Sequence, residues 1–450
     1  MRVRVTPDGV VGGSASVPGD KSIAHRWLLL AAIADGRSEL AGLPPALDVA
    51  STALACAALV GAGAEAAEAW GRSVWSGDAD QHDGPLVVEG AGRMQLRSPG
   101  GTIDCGNSGT TMRLLAGVLA ASRVEAVMDG DESLRARPME RVAEPLRRMG
   151  AHVDTVDGHA PMRVKGAELT GIRHESPVPS AQVKGAALLA GIGAHGGTEV
   201  VERVRTRDHT ERALRALGGP VTEPPGEDAT EFSVAVDRFD VPAFSARVPG
   251  DLSSAAYLAG AALVTGGTLV VEQVGGNPTR SRFLDVLARM GALSELGEDR
   301  EELGEPLGRL HVEPRGLQGT VVVREELPLI IDEVPLLAAV AAHADGETRF
   351  EGAGELRVKE SDRLVGIRDL LRGLGGQAAI EGDALIVGGG GLRGGTADSN
   401  GDHRMAMAAV VAALAAERPS EIGGAEAAAV SFPGFTATML DLGAVLEVLG

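Results

Sequence analysis

At 450 residues the chain exceeds what one hydrophobic core usually organises, so two or more domains are expected. A formal net charge of −20, with one tyrosine, three tryptophans and seven phenylalanines, excludes the cationic, aromatic surface that binds nucleic acid or anionic membranes. Cys56 and Cys105 are too few and too far apart for a disulfide framework or a thiolate metal site, and no apolar run approaches the ~20 residues of a membrane span. A cytoplasmic location is therefore expected.

In chain order, Met1-Arg2-Val3-Arg4-Val5-Thr6 alternates like a strand and lacks a signal-type apolar core. Val17-Pro18-Gly19-Asp20-Lys21-Ser22-Ile23-Ala24-His25-Arg26 then sets a Pro-Gly turn, a cation and a hydroxyl before the apolar run Trp27 to Ala34. This is a loop feeding a helix N-terminus, where free N–H groups and the dipole favour a bound anion. Five related openings follow: Gly106-Asn107-Ser108-Gly109-Thr110-Thr111, Pro179-Ser180-Ala181-Gln182, Gly250-Asp251-Leu252-Ser253-Ser254, Ile331-Asp332-Glu333 and Gly401-Asp402-His403-Arg404.

A second signature recurs behind the first. A Leu or Met stands four residues before a Gly at Leu59/Gly63, Leu146/Gly150, Leu214/Gly218, Leu287/Gly291, Leu371/Gly375 and Met439/Gly443. Glycine just past a helical stretch is the usual left-handed stop. Short Val/Glu/Thr-rich strands such as Gly197 to Val201 and Gly267 to Val271 lie between the helices. Six strand-and-two-helix modules are therefore expected, as two domains of three. The break falls at the second Val-Pro-Gly-Asp, Val248 to Asp251, and the N-terminal strand is free to join the later domain. Trp70 to Asp83 and Glu223 to Thr230 read as surface loops.

The cations are oddly placed. A helix N-terminus disfavours positive charge by roughly 0.3–1 kcal/mol, yet Lys21, Arg26, Arg137, Arg207, Lys359, Arg363 and Arg404 all stand near helix starts. Lys359 and Arg363 are spaced to share a helix face and repel. Bound anions between such groups would explain the set. The chain has only four lysines, Lys21, Lys165, Lys184 and Lys359, and three of them fall in these segments. Gly19-Asp20-Lys21-Ser22 is not a nucleotide-binding P-loop, because Asp20 interrupts Gly-Lys-Ser and the upstream glycine is missing. Asp332-Glu333 sits in an apolar setting where unpaired carboxylates are costly, and Glu360 lies between Lys359 and Arg363. Two carboxylates among several cations suit acid–base chemistry on an anionic substrate.

These residues resemble the 3-phosphoshikimate 1-carboxyvinyltransferase (5-enolpyruvylshikimate-3-phosphate synthase) family. The resemblance runs in order through Pro18 to Arg26, Gly106 to Arg113, Arg137-Pro138, Ser180-Ala181-Gln182, Arg207 to Glu211, Lys359-Glu360-Ser361-Asp362-Arg363 and Asp402 to Met407. It implies the two-domain α/β enolpyruvyl transferase fold. Each domain would be three βαβαββ repeats in an inverse α/β barrel, with the active site in the interdomain cleft. The domains would be residues 17–249, and 1–16 with 250–450.

The implied reaction moves the enolpyruvyl group of phosphoenolpyruvate to the 5-hydroxyl of 3-phosphoshikimate, releasing phosphate. It needs no cofactor and no metal, and a monomer is expected. By motif, Lys21, Ser22, Arg26, Ser180, Ala181, Gln182, Arg207, Asp332 and Lys359 would hold 3-phosphoshikimate. Lys21, Gly109, Arg137, Gln182, Arg363 and Arg404 would hold phosphoenolpyruvate. Asp332 would act as the base and Glu360 as the acid, with Lys21 the third catalytic group.

Two positions depart from the family pattern. Val430 stands before Ser431-Phe432-Pro433 where many members carry a lysine, and Glu355 stands where well-known members carry asparagine. Gly109 leaves room for glyphosate in the phosphoenolpyruvate site. The sister enzyme acting on UDP-N-acetylglucosamine is the nearest alternative. It usually carries a cysteine ahead of Ala-Arg-Pro, whereas Asp131 to Arg135 precede Ala136-Arg137-Pro138 here. An inactive anion-binding protein of the same fold is the other alternative.

Overall fold

A computed structural model describes residues 1–76, 84–224 and 231–449. The chain falls into two compact units. One comprises Met1–Pro18, Gly250–Arg300 and Pro306–Gly450; the other comprises Gly19–Pro249 and Glu301–Glu305. Val17 and Pro18 thus stay with the C-terminal unit rather than opening the other. Residues 301–305, the tip of the hairpin formed by the Leu293–Glu302 and Glu305–Glu313 strands, belong to the Gly19–Pro249 unit. There Glu305 Oε1 lies 2.8 Å from His209 Nδ1, both buried, and the Gly304 carbonyl accepts from Arg212. The chain therefore crosses between units four times rather than the two expected.

Each unit carries three sheets among the described residues, five of the six being four-stranded. A complete module reads βαβαββ. Ile103–Asp104 pairs parallel with Glu125–Asp129, which pairs antiparallel with His159–Lys165, which pairs antiparallel with His152–Val156. The same order recurs in the sheet built from Arg173–Glu175, Thr198–Glu202, Phe232–Val236 and Val221–Thr222. It recurs again with Val321–Val322, Glu347–Phe350, Ala384–Gly388 and Gln377–Glu381.

The remaining modules are completed by exchange of strands. Gly13–Ser16 precedes the first Val-Pro-Gly-Asp but pairs parallel with Leu269–Gly275 in the C-terminal unit. Ser245–Arg247 precedes the second Val-Pro-Gly-Asp but pairs parallel with Asp35–Ala41 in the other. Arg2–Thr6 lies antiparallel between Ser420–Gly423 and Val445–Leu449, so the N-terminal strand closes the last module. Each Val-Pro-Gly-Asp is thus a point where a strand stays and the following helix departs.

The six leading helices are the cores. Lys21–Ile33, Gly109–Ala120 and Ala181–Gly191 serve one unit; Leu252–Thr265, Val334–Ala341 and His403–Ala413 serve the other. They are apolar nearly all round because each is covered by neighbouring helices and by sheet. Their Ala and Gly content allows close approach: a Cβ on Gly117 would fall 2.2 Å from the Ala186 carbonyl oxygen of the adjacent helix.

Start and stop signals behave as expected. Asp20, Ser108, Ser180, Asp251 and Asp402 all cap their helices through the side chain. The sixth opening differs: Glu333 occupies the cap position without a side-chain bond, and Asp332 is used elsewhere. Gly150, Gly218, Gly291, Gly375 and Gly443 stand at or just past their helix ends with positive φ, whereas the Leu47–Val60 helix is capped by Gly61 and Gly63 lies in the turn beyond it. Trp70 to Ser76, read as loop, is the end of the Glu65–Ser76 helix, with Trp70 and Val74 buried. The rest of that stretch, and residues 225–230 of the other expected loop, lie outside the described residues.

Candidate active site

In the C-terminal unit the predicted carboxylates and cations converge. Asp332, just before the Val334–Ala341 helix, has Lys359 Nζ at 3.9 Å, Arg363 Nη1 at 3.5 Å and Arg404 Nη2 at 3.6 Å from its carboxylate. Its backbone carbonyl also accepts from Arg404 at 2.8 Å. Glu360 reaches Arg363 Nη2 at 2.6 Å. Both candidate proton-transfer groups therefore touch one guanidinium, and Asp332 touches two further cations.

Arg363 is the hub. It is the first residue of the Arg363–Gly373 helix, and its guanidinium is 1% exposed. Asp402 holds it in a fork, 2.8 Å from Nε and 3.2 Å from Nη2, and is itself fixed by Ser361 Oγ at 2.9 Å. Burial opposes the charge, but Asp402 and Glu360 prevail and hold the Arg363 pKa above its ordinary value. Burial likewise opposes the Asp402 carboxylate, and Arg363 pulls its pKa below the usual range. Arg404 is buried too; Asp332 and Glu333 raise its pKa against the cost of burial.

Lys359 corrects the sequence reading. It follows the 3-10 segment Ala353–Val358 and precedes the helix, so it shares no helix face with Arg363. Its proximity to Arg363 is resolved by Asp332, which faces both. A buried set behind Arg404 has no signal in the sequence. Arg280 Nη2 donates to Ser253 Oγ at 2.6 Å and lies 3.3 Å from Asp251, and Ser253 donates to Glu333, which lies 3.5 Å from Arg404. Arg280 sits behind Asn277-Pro278-Thr279 in a loop with no periodicity, so only the folded chain brings it here.

The other unit carries the remaining predicted residues: Lys21, Ser22 and Arg26, Gly109, and Ser180 to Gln182 at three helix openings, Arg137 between Glu132–Arg135 and Glu140–Met149, and Arg207 just before His209–Ala216. Asp20 accepts from Ser22 N and Ile23 N at 2.7 and 3.1 Å, fixing the turn that presents Lys21 and Ser22. Lys21 Nζ lies 3.0 Å from Asp48, a residue with no signal of its own in the sequence. Arg26 donates to Thr210 Oγ1 and to the Ser22 carbonyl, both at 2.8 Å. Burial lowers its pKa to about 10, with Glu211 and Asp20 opposing and Arg207 adding to the fall.

At the Gly109–Ala120 opening, a Cβ on Gly109 would lie 3.2 Å from Arg113 Nη1 and 3.3 Å from Arg137 Nη1. Gln182 accepts from Arg113 and donates to Thr110 Oγ1 at 2.8 Å. Arg137 bonds Asn107 and Ser133, and Ser180 caps the helix that begins at Ala181. Gly109, Arg137 and Gln182 are thus one cluster, and Arg113, one turn beyond Gly109, belongs to it.

Lys184 does not belong there. It is buried, 2.9 Å from each of the buried Glu202 and Glu211. Burial opposes its charge, and Glu211 and Glu202 keep its pKa above the ordinary value. This lysine is a core ion-pair centre. Lys184→Met is expected to destabilise the protein by about 3–5 kcal/mol, because two buried carboxylates lose their cation. Urea unfolding of the variant measures this.

His25 gives a pH signature. Burial lowers its pKa to about 3, with Lys21 and Arg26 adding to the fall and Asp48 and Asp20 opposing it. Between pH 6.5 and 3 the unfolded chain takes a proton that the native one refuses, so stability falls as pH drops through that window. His25→Asn is expected to remove this component, on the order of a few kcal/mol at the acid end. Thermal melts of both proteins from pH 7 to 4 show whether it does.

Cations stand at or near helix openings in each unit, and in the C-terminal one three of them face the Asp332 carboxylate, an arrangement of the class that suits anionic substrates. The sequence matches the EPSP synthase (3-phosphoshikimate 1-carboxyvinyltransferase) family over residues 5–439. It is 44% identical over 448 residues to a 3-phosphoshikimate 1-carboxyvinyltransferase of Acidithiobacillus ferrooxidans, covering 99% of each chain. It is likewise 44% identical over 437 residues to one of Desulfitobacterium hafniense, covering 96% of each. The fold is similar to an EPSP synthase structure from Acinetobacter baumannii, with a TM-score of 0.84 and 37% identity over the whole of both chains. The chain belongs to the EPSP synthase family.

Proposed function

We propose that Asp332 and Glu360 are the base and acid with which this chain performs the reaction of its family, transfer of the enolpyruvyl group from phosphoenolpyruvate to the 5-hydroxyl of 3-phosphoshikimate. The observation that carries the assignment is that both carboxylates meet one buried guanidinium, that of Arg363. Asp332 lies 3.5 Å from Arg363 Nη1 and also faces Lys359 and Arg404, and Glu360, 30% exposed, lies 2.6 Å from Arg363 Nη2. Two carboxylates held on one cation can take a proton at one point of a bound substrate and give one at another.

In this reading Asp332 takes the proton of the 5-hydroxyl as its oxygen bonds to C2 of phosphoenolpyruvate, and Glu360 protonates the methylene carbon. The tetrahedral intermediate then loses phosphate and one methyl proton, which restores the double bond. Lys21, Ser22, Arg26, Ser180, Ala181, Gln182, Arg207 and Lys359 hold 3-phosphoshikimate. Lys21, Gly109, Arg137, Gln182, Arg363 and Arg404 hold the phosphate and carboxylate of phosphoenolpyruvate. With Val430 in place of a lysine, the arginines carry that anion. Preorganised cations of this kind stabilise the developing negative charge without reorganisation.

The reading includes a cytoplasmic monomer without a cofactor; no described helix is long and apolar enough to cross a membrane. The UDP-N-acetylglucosamine reading is disfavoured by both cysteines. Each is buried, and burial pushes the Cys56 thiol up to about 12 and Cys105 higher still, so neither offers a loop thiolate. Phosphate release from 3-phosphoshikimate plus phosphoenolpyruvate, against a control with UDP-N-acetylglucosamine as acceptor, tests the function directly. Release only in the control would refute it.

Glyphosate is expected to compete with phosphoenolpyruvate. In Gly109→Ala the added methyl crowds Arg113 and Arg137. It is expected to weaken glyphosate inhibition by about tenfold or more, the discrimination one methyl typically supplies in a tight site. Unchanged inhibition curves for both proteins would show that glyphosate does not use this opening.

A further inference from the structure

Beneath the Lys21–Asp48 ion pair runs a buried polar ladder. His25 Nδ1 lies 2.6 Å from Thr52 Oγ1, and Thr52 Oγ1 lies 2.7 Å from Thr111 Oγ1. Thr111 Oγ1 in turn lies 2.7 Å from Ser108 Oγ and 3.3 Å from the Asp48 carbonyl. His25, Thr52, Thr111 and Ser108 are all buried. Three helices contribute: Lys21–Ile33, Leu47–Val60 and Gly109–Ala120.

The spacing is regular. His25 is four residues after Lys21, Thr52 four after Asp48, and Thr111 four after Asn107, the residue that bonds Arg137. In the first two cases the ladder residue stands one helical turn below the polar residue at its helix opening, on the same face. The ladder's direction follows from its far end. His25 Nε2 is buried with no hydrogen-bond partner. A proton there would be an orphaned buried donor, a rarity in native proteins, so the neutral ring carries its hydrogen on Nδ1 and donates to Thr52. Thr52 then donates to Thr111, and Thr111 to Ser108, the cap of the Gly109–Ala120 helix.

We propose that His25, Thr52 and Thr111 are positioning residues for the reaction: they fix Lys21 and the Gly109 opening relative to each other across three helices. The inference rests on the assignment of Lys21 and Gly109 to substrate. It goes beyond that assignment by naming what sets their separation. A purely packed interface among these helices would tolerate sliding of a few tenths of an ångström; a chain of directed hydrogen bonds does not.

The two hydroxyls provide a test in which packing and positioning predict opposite orders. Thr→Val keeps the side-chain volume and removes the hydroxyl, whereas Thr→Ser keeps the hydroxyl and removes a methyl. Positioning predicts that Thr52→Val and Thr111→Val each lower kcat/KM for phosphoenolpyruvate by about tenfold or more, with Ser at either site close to wild type. It also predicts that the double Val variant is little worse than either single one, since the ladder fails as a unit. Packing alone predicts Ser worse than Val, and that result overturns the proposal. So does an unchanged kcat/KM in both Val variants while Lys21→Met abolishes activity. If Lys21→Met and Gly109→Ala are also without effect, the substrate assignment falls and takes the ladder's role with it. Melting temperatures measured alongside separate unfolding from mispositioning.

Discussion

Glu360→Gln is expected to leave both substrates bound and to lower kcat by about 10²–10⁴-fold, the usual worth of a positioned general acid. Glutamine keeps the shape of the side chain and still offers an oxygen to Arg363, which lies 2.6 Å from Glu360 in the native site. The cation cluster therefore stays in place, and substrate affinity with it. What is lost is the proton delivered to the methylene carbon, an interaction made only in the transition state, so kcat and kcat/KM fall together. Steady-state kinetics with equilibrium binding of phosphoenolpyruvate decide the matter. Unchanged turnover would remove Glu360 from the acid role. A raised KM at constant kcat would make it a binding group instead.

Arg363→Met is expected to destabilise the C-terminal unit by about 3–5 kcal/mol. Methionine keeps an unbranched apolar stem at this buried position, but Asp402 is left as a buried carboxylate without its fork. Asp332 and Glu360 each lose a cation as well. In a unit of roughly 200 residues this corresponds to a fall in Tm of about 6–20 °C. Arg324→Met is the control. Arg324 pairs with Asp383 at the surface, where an ion pair contributes at most about 1 kcal/mol. Calorimetry that finds the two variants alike would show that the Arg363 network is not the buried centre its geometry implies. The Arg363 variant should also lose phosphoenolpyruvate affinity, so stability and binding fall together at one residue.

These two residues also show where reading the chain succeeds. Lys359-Glu360-Ser361-Asp362-Arg363 is contiguous, so its residue types and spacing are visible, and Glu360 and Arg363 do meet. The same holds for the caps and stops. An Asp or Ser before an apolar run and a glycine after one act over a few residues of backbone, so their physics is written where it operates. By contrast, the repulsion expected between Lys359 and Arg363 assumed one continuous helix. The chain instead passes through a 3-10 segment, and Asp332, some thirty residues earlier in sequence, lies between their charges.

Lys184 shows the limit most directly. Its place two residues after Gln182 puts it among the lysines of the helix-opening segments, yet the helix turns it inward onto Glu202 and Glu211. A single helical step of about 100° separates the two outcomes, and which face is inward depends on what packs there. Asp48, Arg113 and Arg280 are the converse. Asp48 and Arg280 lie in segments with ordinary local chemistry and Arg113 at the end of a visible motif, and each acquires its partner 27 to 69 residues away, as in Lys21–Asp48 and Arg113–Gln182.

By itself the sequence determined the six-fold repetition, the helix starts and stops, and the set of charges available for an anionic substrate, because those depend on local periodicity and side-chain type. Only the tertiary structure decided which charges meet. It exchanged the Gly13–Ser16 and Ser245–Arg247 strands between modules and carried residues 301–305 into the other unit. It also set three cations around Asp332 and buried a hydroxyl ladder under Lys21. These follow from long-range pairing and from the cost of leaving a buried polar group alone, and neither has a local signature in the chain.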